Sequence, residues 1–149
     1  MFNYRASTTP ADVALQMHQE VDWGGGYYRR WMKANKTVPI YMREKHEDIP
    51  MSIAYPFDEV FTLTKHIKLK NEQLKYFTSS FGWALALAIL QERKVINVYG
   101  VDMADLEYVN QKDCFAFWLG FAGGRGIEVN INCAENIFNK TLYGELPLE

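Results

Sequence analysis

Two hydroxyls at the head of an apolar helix, and a carboxylate behind the strand that follows it, are the residues best placed to do chemistry. Ser79 and Ser80 precede the apolar run 81–90, and Asp102 comes just after the β-rich run 95–99 and Gly100. The first turn of a helix presents unsatisfied N–H groups and the positive end of the helix dipole, which together hold an anion. A carboxylate beyond the carboxyl end of a parallel strand lies on the edge where open α/β sheets bind ligands. This arrangement suits a nucleotide or a sugar phosphate. The same residues also fit plain structural duties, with Ser79 or Ser80 as an N-cap and Asp102 as a turn former. On their own, the residue types favour those duties. His18 is the other chemical candidate; its bland reading is a satisfied histidine after a strand.

The elements that position these groups follow from composition and period. Residues 81–90 are rich in Ala and Leu and apolar nearly all round, which predicts a buried helix. Gln91 to Lys94 form its polar exit. Val95, Ile96, Val98 and Tyr99 predict a strand covered on both faces. Upstream, Val13, Leu15 and Met17 alternate with Ala14 and Gln16, a strand pattern ending at His18, while Pro10 starts a competing helical reading. Gly24 to Gly26 read as a mobile connector, and residues 27–35 as a helix whose Arg29–Arg30 pair faces solvent. Residues 38–42 predict a strand, Arg43 to Asp48 a charged loop with a solvated His46, and the two X-Pro steps at 49–50 and 55–56 an extended segment. A helix is expected over 57–64. Lys65 to Lys75 read as a basic, irregular connector. Asp113 is a candidate cap for a helix over 114–122 ended by glycines, and residues 127–131 predict a half-covered strand.

Composition bounds the function. The 149 residues fit one domain, with 1–12 and 134–149 as peripheral tails. At 48% hydrophobic and 15% aromatic the chain can build a core. A net charge of −2 disfavours duplex nucleic acid as a partner. No apolar run has the length of a membrane span, and the N-terminus lacks the apolar core of a signal peptide, so a cytoplasmic setting is expected. Cys114 and Cys133 are expected to be free thiols. No metal-ligand pattern, Walker loop or GxGxxG occurs. Alternating strands and helices predict a mostly parallel α/β sheet with helices on both faces.

The stretch FTSSFGWALALAI, the strand running into YGVDM, the later EY and Q, and the aromatic helix running into GRGIEV form a pattern, joined by the earlier LQMH, VPIYM and YPFDEV. This pattern resembles a group of mostly uncharacterised, often phage-encoded proteins with a Rossmann-like domain. That domain is distantly similar to those of motility accessory factors, hydroxymethylpterin diphosphokinase and sialyltransferases. The resemblance spans about residues 15–131. It implies a three-layer Rossmann-like sheet and a nucleotide or nucleotide-sugar ligand at the strand ends. It makes Ser79, Ser80 and Asp102 ligand contacts, with Tyr108, Gln111 and Arg125 at the periphery. His18 becomes a general base or phosphate partner, and Asp102 a ribose or metal contact. One departure stands out. The group's usual first strand and Gly-rich loop are missing, so half of the expected site is absent.

Two functions remain open from sequence. The first is a nucleotide-binding, transferase-like protein, degenerate or still catalytic. The second is a non-catalytic assembly or host-interaction protein that forms a homo-oligomer, or pairs with another protein, through the incomplete sheet edge. For a phage-encoded chain the setting is the host cytoplasm or the virion. No cofactor beyond a nucleotide, and no resident metal, is expected.

Overall fold

The computed structural model describes residues 10–19, 25–101, 103 and 108–132. Its contacts gather into two compact units, residues 1–59 and 60–149. The described residues form a mixed α/β structure with small, mostly parallel sheets.

The first unit begins with β1 (Ala14–Gln16), α1 (Gly25–Ala34), β2 (Ile40–Met42) and β3 (Ser52–Ala54). The strands form one parallel sheet in the order β1-β2-β3, with Ala14 opposite Ile40 and Ile40 opposite Ser52. All three residues of β1 are buried, so the strand reading there prevails over the helical one. Helix α1 starts at Gly25, inside the expected connector. Its inward face carries Tyr28 and Met32, packed with Ile40, Met42 and Ile49. Met32 is fully buried, which is worth about 1.5–3 kcal/mol. Asn35 then turns the chain toward β2. Its Oδ1 accepts from the Thr37 and Val38 N–H groups, and its Nδ2 donates to the Val38 carbonyl at 2.6 Å.

Parallel neighbours usually need a crossover of a dozen or more residues, most often a helix. Here β2 and β3 are joined by residues 43–51 alone, with no helix. Three anchors make so short a return workable. Ile49 is fully buried in the core. The Ser52 hydroxyl accepts from the His46 N–H at 3.0 Å and lies within donating distance of the Ile49 and His46 carbonyls. Asp48 reaches Lys33 Nζ at 2.6 Å and Arg29 Nη2 at 3.4 Å. The hydrogen bond from Lys33 leads in holding the Asp48 carboxyl below the usual carboxylate range. Arg29 is therefore an ion-pair partner, not the purely solvated face expected of it.

The second unit follows from α2 (Phe57–Thr62), within which the division falls. The segment read as irregular contains an antiparallel hairpin, β4 (Lys68–Leu69) and β5 (Glu72–Gln73). Its turn residues Lys70 and Asn71 both have positive φ, 51° and 69°. That is the primed geometry that suits hairpin twist, but it lacks the glycine that advertises it in sequence. Gln73 Nε2 donates to the Phe61 carbonyl, and Thr64 Oγ1 to the Leu74 carbonyl at 2.8 Å, which ties the hairpin to the end of α2.

Helix α3 (Ser80–Leu90) packs on α4 (Val109–Gly124), and β6 (Val95–Val98) pairs in parallel with β7 (Glu128–Ile131). Gly82 allows the helices to approach closely. A Cβ there would lie 2.7 Å from Cys114 Sγ. Trp118 is fully buried and donates from Nε1 to the Tyr76 carbonyl at 2.8 Å. Phe77 stacks on Trp83 with centroids 3.7 Å apart and packs against Trp118.

Two expectations for this unit are corrected. Helix α4 begins at Val109, and Asp113 sits inside it, exposed, instead of capping it. Strand β6 is covered on one face only. Ile96 and Val98 are buried, while Val95 is 46% and Tyr99 71% exposed.

Both long helices of this unit stop in the same motif. After α3 the Arg93 N–H bonds the Ala88 carbonyl and the Glu92 N–H bonds that of Ile89. After α4 the Ile127 N–H bonds the Ala122 carbonyl and the Gly126 N–H bonds that of Gly123. These are Schellman closures, which put one residue in the left-handed region. Gly126 (φ 80°) takes it freely, whereas Glu92 (φ 54°) takes it with a side chain.

Candidate functional site

The carboxyl ends of the first unit's strands frame a cleft of about 420 Å³. Gln16 is the last residue of β1, and His18 and Gln19 follow it. Arg43, Glu44 and His46 follow β2, and Phe57 opens α2 shortly after β3. This is the edge of a parallel sheet where ligands collect, because the loops leaving the strands converge there. The strands are rigid and the loops can vary, so chemistry gathers at their junction.

The lining is polar. Arg43 and Glu44 bring opposite charges to it, and the two imidazoles and two side-chain amides add hydrogen-bonding groups. Both histidines stand on backbone held by a buried side chain. Gln16, 2% exposed, accepts the His18 N–H on its Oε1 at 3.1 Å. Ser52, 4% exposed, holds the His46 N–H. Phe57 supplies one apolar wall, its ring 5.1 Å from that of Tyr55.

Of the residues singled out from sequence, His18 lies in this cleft. Ser79, Ser80, Tyr108 and Gln111 lie in the second unit, where α3 and α4 start side by side. There Thr78 Oγ1 donates to the Asn110 carbonyl at 2.7 Å. Ser79 performs the capping duty: it is 7% exposed and its Oγ accepts the Gly82 N–H at 3.3 Å. Ser80 is the first residue of α3, and Gln111 lies in the first turn of α4; both are half-buried. Tyr108 precedes α4 without capping it through its side chain. Arg125 ends α4, with its guanidinium over the Phe121 ring. Asp102 and Cys133 lie outside the described residues, as do residues 1–9 and 134–149 of the expected tails.

Gln16, Gln19, Arg43, Glu44 and His46 did not stand out from sequence. The signal was available in principle, since each ends or follows a predicted strand. Reading the charged stretch after β2 as a solvated loop concealed it. Among the described residues no group of three or more His, Cys, Asp or Glu could hold a metal ion. None of their helices is long and apolar enough to cross a membrane. Comparison with protein-family models, with curated proteins and with solved structures found no match.

Proposed function

We propose that the protein binds a small phosphate-bearing ligand, a nucleotide or nucleotide sugar, at the carboxyl ends of β1, β2 and β3. One observation carries this reading: an arginine, two histidines and two glutamines line a single cleft on that edge of a parallel sheet. Arg43 offers a planar fork of donors suited to phosphate oxygens. The imidazoles and amides offer further donors, Glu44 suits sugar hydroxyls, and the Phe57 ring suits a flat base. The volume matches that of small-molecule sites. The reading takes the chain as Rossmann-like, in line with the resemblance seen in its sequence. Titration calorimetry with inorganic phosphate, CMP, UMP and their sugar conjugates tests it. Saturable binding that Arg43→Ala weakens at least about tenfold is expected, the loss of one charge-assisted contact. Heat no different from buffer for every ligand would refute it.

A second reading, a contact with another protein or with a second copy of the chain, is favoured by the open face of β6. Parallel strands are ordinarily covered on both sides, yet Val95 and Tyr99 are exposed there. Sedimentation equilibrium should then show an oligomer that Tyr99→Glu dissociates. A monomer at all concentrations would exclude self-association.

A further inference from the structure

We propose that His18 and His46 form a general acid–base pair that hydrolyses a phosphodiester held by Arg43. The proposal rests on the anion-binding reading of the cleft and goes beyond it by assigning a reaction. Buried polar side chains of the first unit include Gln16, Asn35 and Ser52. Two of them fix the backbone of a cleft histidine, at 3.1 Å for His18 and 3.0 Å for His46. These bonds fix the backbone from which each imidazole projects, and catalytic side chains must be held close to their working geometry. The two imidazoles come from different connections, one after β1 and one after β2, so they approach the cleft from separate sites of attachment.

The step balances with water as the only co-reactant. One imidazole, neutral, takes a proton from water as the water oxygen bonds to phosphorus. The other, protonated, gives its proton to the departing alcohol oxygen as the P–O bond breaks. Arg43 holds the non-bridging oxygens, where negative charge gathers. The products are a phosphomonoester and an alcohol, nothing is oxidised or reduced, and the imidazoles regain their starting states by exchange with solvent. Arg43 and Glu44 are the charged groups that share the lining with the pair.

The test follows hydrolysis of bis(4-nitrophenyl) phosphate and of diphenyl phosphate against pH. It compares the intact chain with His18→Ala, His46→Ala and the double variant, and measures inorganic phosphate binding in parallel. A bell-shaped pH profile is expected, because one imidazole must be neutral and the other charged. Each single variant should lose about 10²-fold or more and one limb of the bell. The variant lacking the acid should lose more on diphenyl phosphate, whose leaving group needs the proton. His18→Gln and His46→Asn repeat the measurement with side chains that keep hydrogen-bonding capacity. Phosphate binding without cleavage of either diester overturns the acid–base proposal and leaves the binding reading standing, as does a full rate in either single variant. Absence of binding by inorganic phosphate and by CMP, UMP and their sugar conjugates alike overturns both.

Discussion

The two compact units use their buried polar groups for different ends. In the first, Gln16 and Ser52 fix the backbone of residues that line an open cleft. In the second, Ser79 caps a helix, Thr64 ties down a hairpin, and the interior is filled by aromatic rings around Trp118. Burying a polar group costs free energy unless it is bonded, so where a protein accepts that cost shows what it must keep in place. The second unit keeps its helices in place, and the first keeps its loops.

Removing Trp118 should break the second half of this contrast. Trp118→Ala deletes a fully buried ring and orphans the Tyr76 carbonyl, at a cost of about 3–5 kcal/mol by urea unfolding. At temperatures where the variant stays folded, its phosphate affinity should equal that of the parent. Ser52→Ala probes the other half. It strips the His46 N–H of its acceptor, with an expected loss of about 1–2 kcal/mol. Here calorimetry should also show weaker phosphate binding. Unchanged affinity would mean that Ser52 serves the fold alone.

Two smaller effects sharpen the comparison. Glu92→Gly should raise stability by about 1 kcal/mol in thermal melts, because glycine takes the left-handed closing position of α3 as Gly126 does for α4. Tyr28 gives the smallest effect near neutrality. Its hydroxyl is buried with no hydrogen-bond partner among the described residues, so Tyr28→Phe should raise stability at pH 7, by up to about 1 kcal/mol. The difference emerges in alkali. Burial pushes the Tyr28 phenol up from 10.0 to about 12. Between those values the unfolded chain releases a proton that the folded chain retains, so stability present below pH 10 is lost as pH rises toward 12. Denaturant melts across that window should show a shallower decline for the variant.

Much of the fold was legible in the chain. Periodicity located α1, β2, α3, β6 and β7 because each carries an apolar pattern or helix-forming composition, and left β1 between a strand and a helix. The β4–β5 hairpin escaped because Lys70 adopts a positive φ without the glycine that would mark it. The start of α4 escaped because Asp113 looks like a cap, while the true start, at Val109, has no capping side chain before it. At the site, His18 stood out as a histidine after a strand. Its partners did not, because Arg43, Glu44 and His46 belong to a run whose charge suggests solvent. What brings them to the cleft is the pairing of β2 with β1, a contact between residues 26 positions apart that no local pattern encodes.

The short β2–β3 return has a consequence for the order of assembly. Ile40 pairs with Ser52 only twelve positions along the chain, whereas Val95 pairs with Glu128 across thirty-three. The entropy lost on closing a flexible loop grows with the logarithm of its length, so the shorter closure is easier by roughly 1 kcal/mol. The β2–β3 ribbon is thus the cheaper parallel pairing to nucleate, and the stretch carrying Arg43, Glu44 and His46 is drawn into shape as it zips. Pulsed hydrogen exchange during refolding should protect the Tyr55 amide, which bonds the Met42 carbonyl, before the Asn132 amide, which bonds that of Val98. The reverse order would show that collapse around the aromatic rings, not loop length, sets the sequence of events.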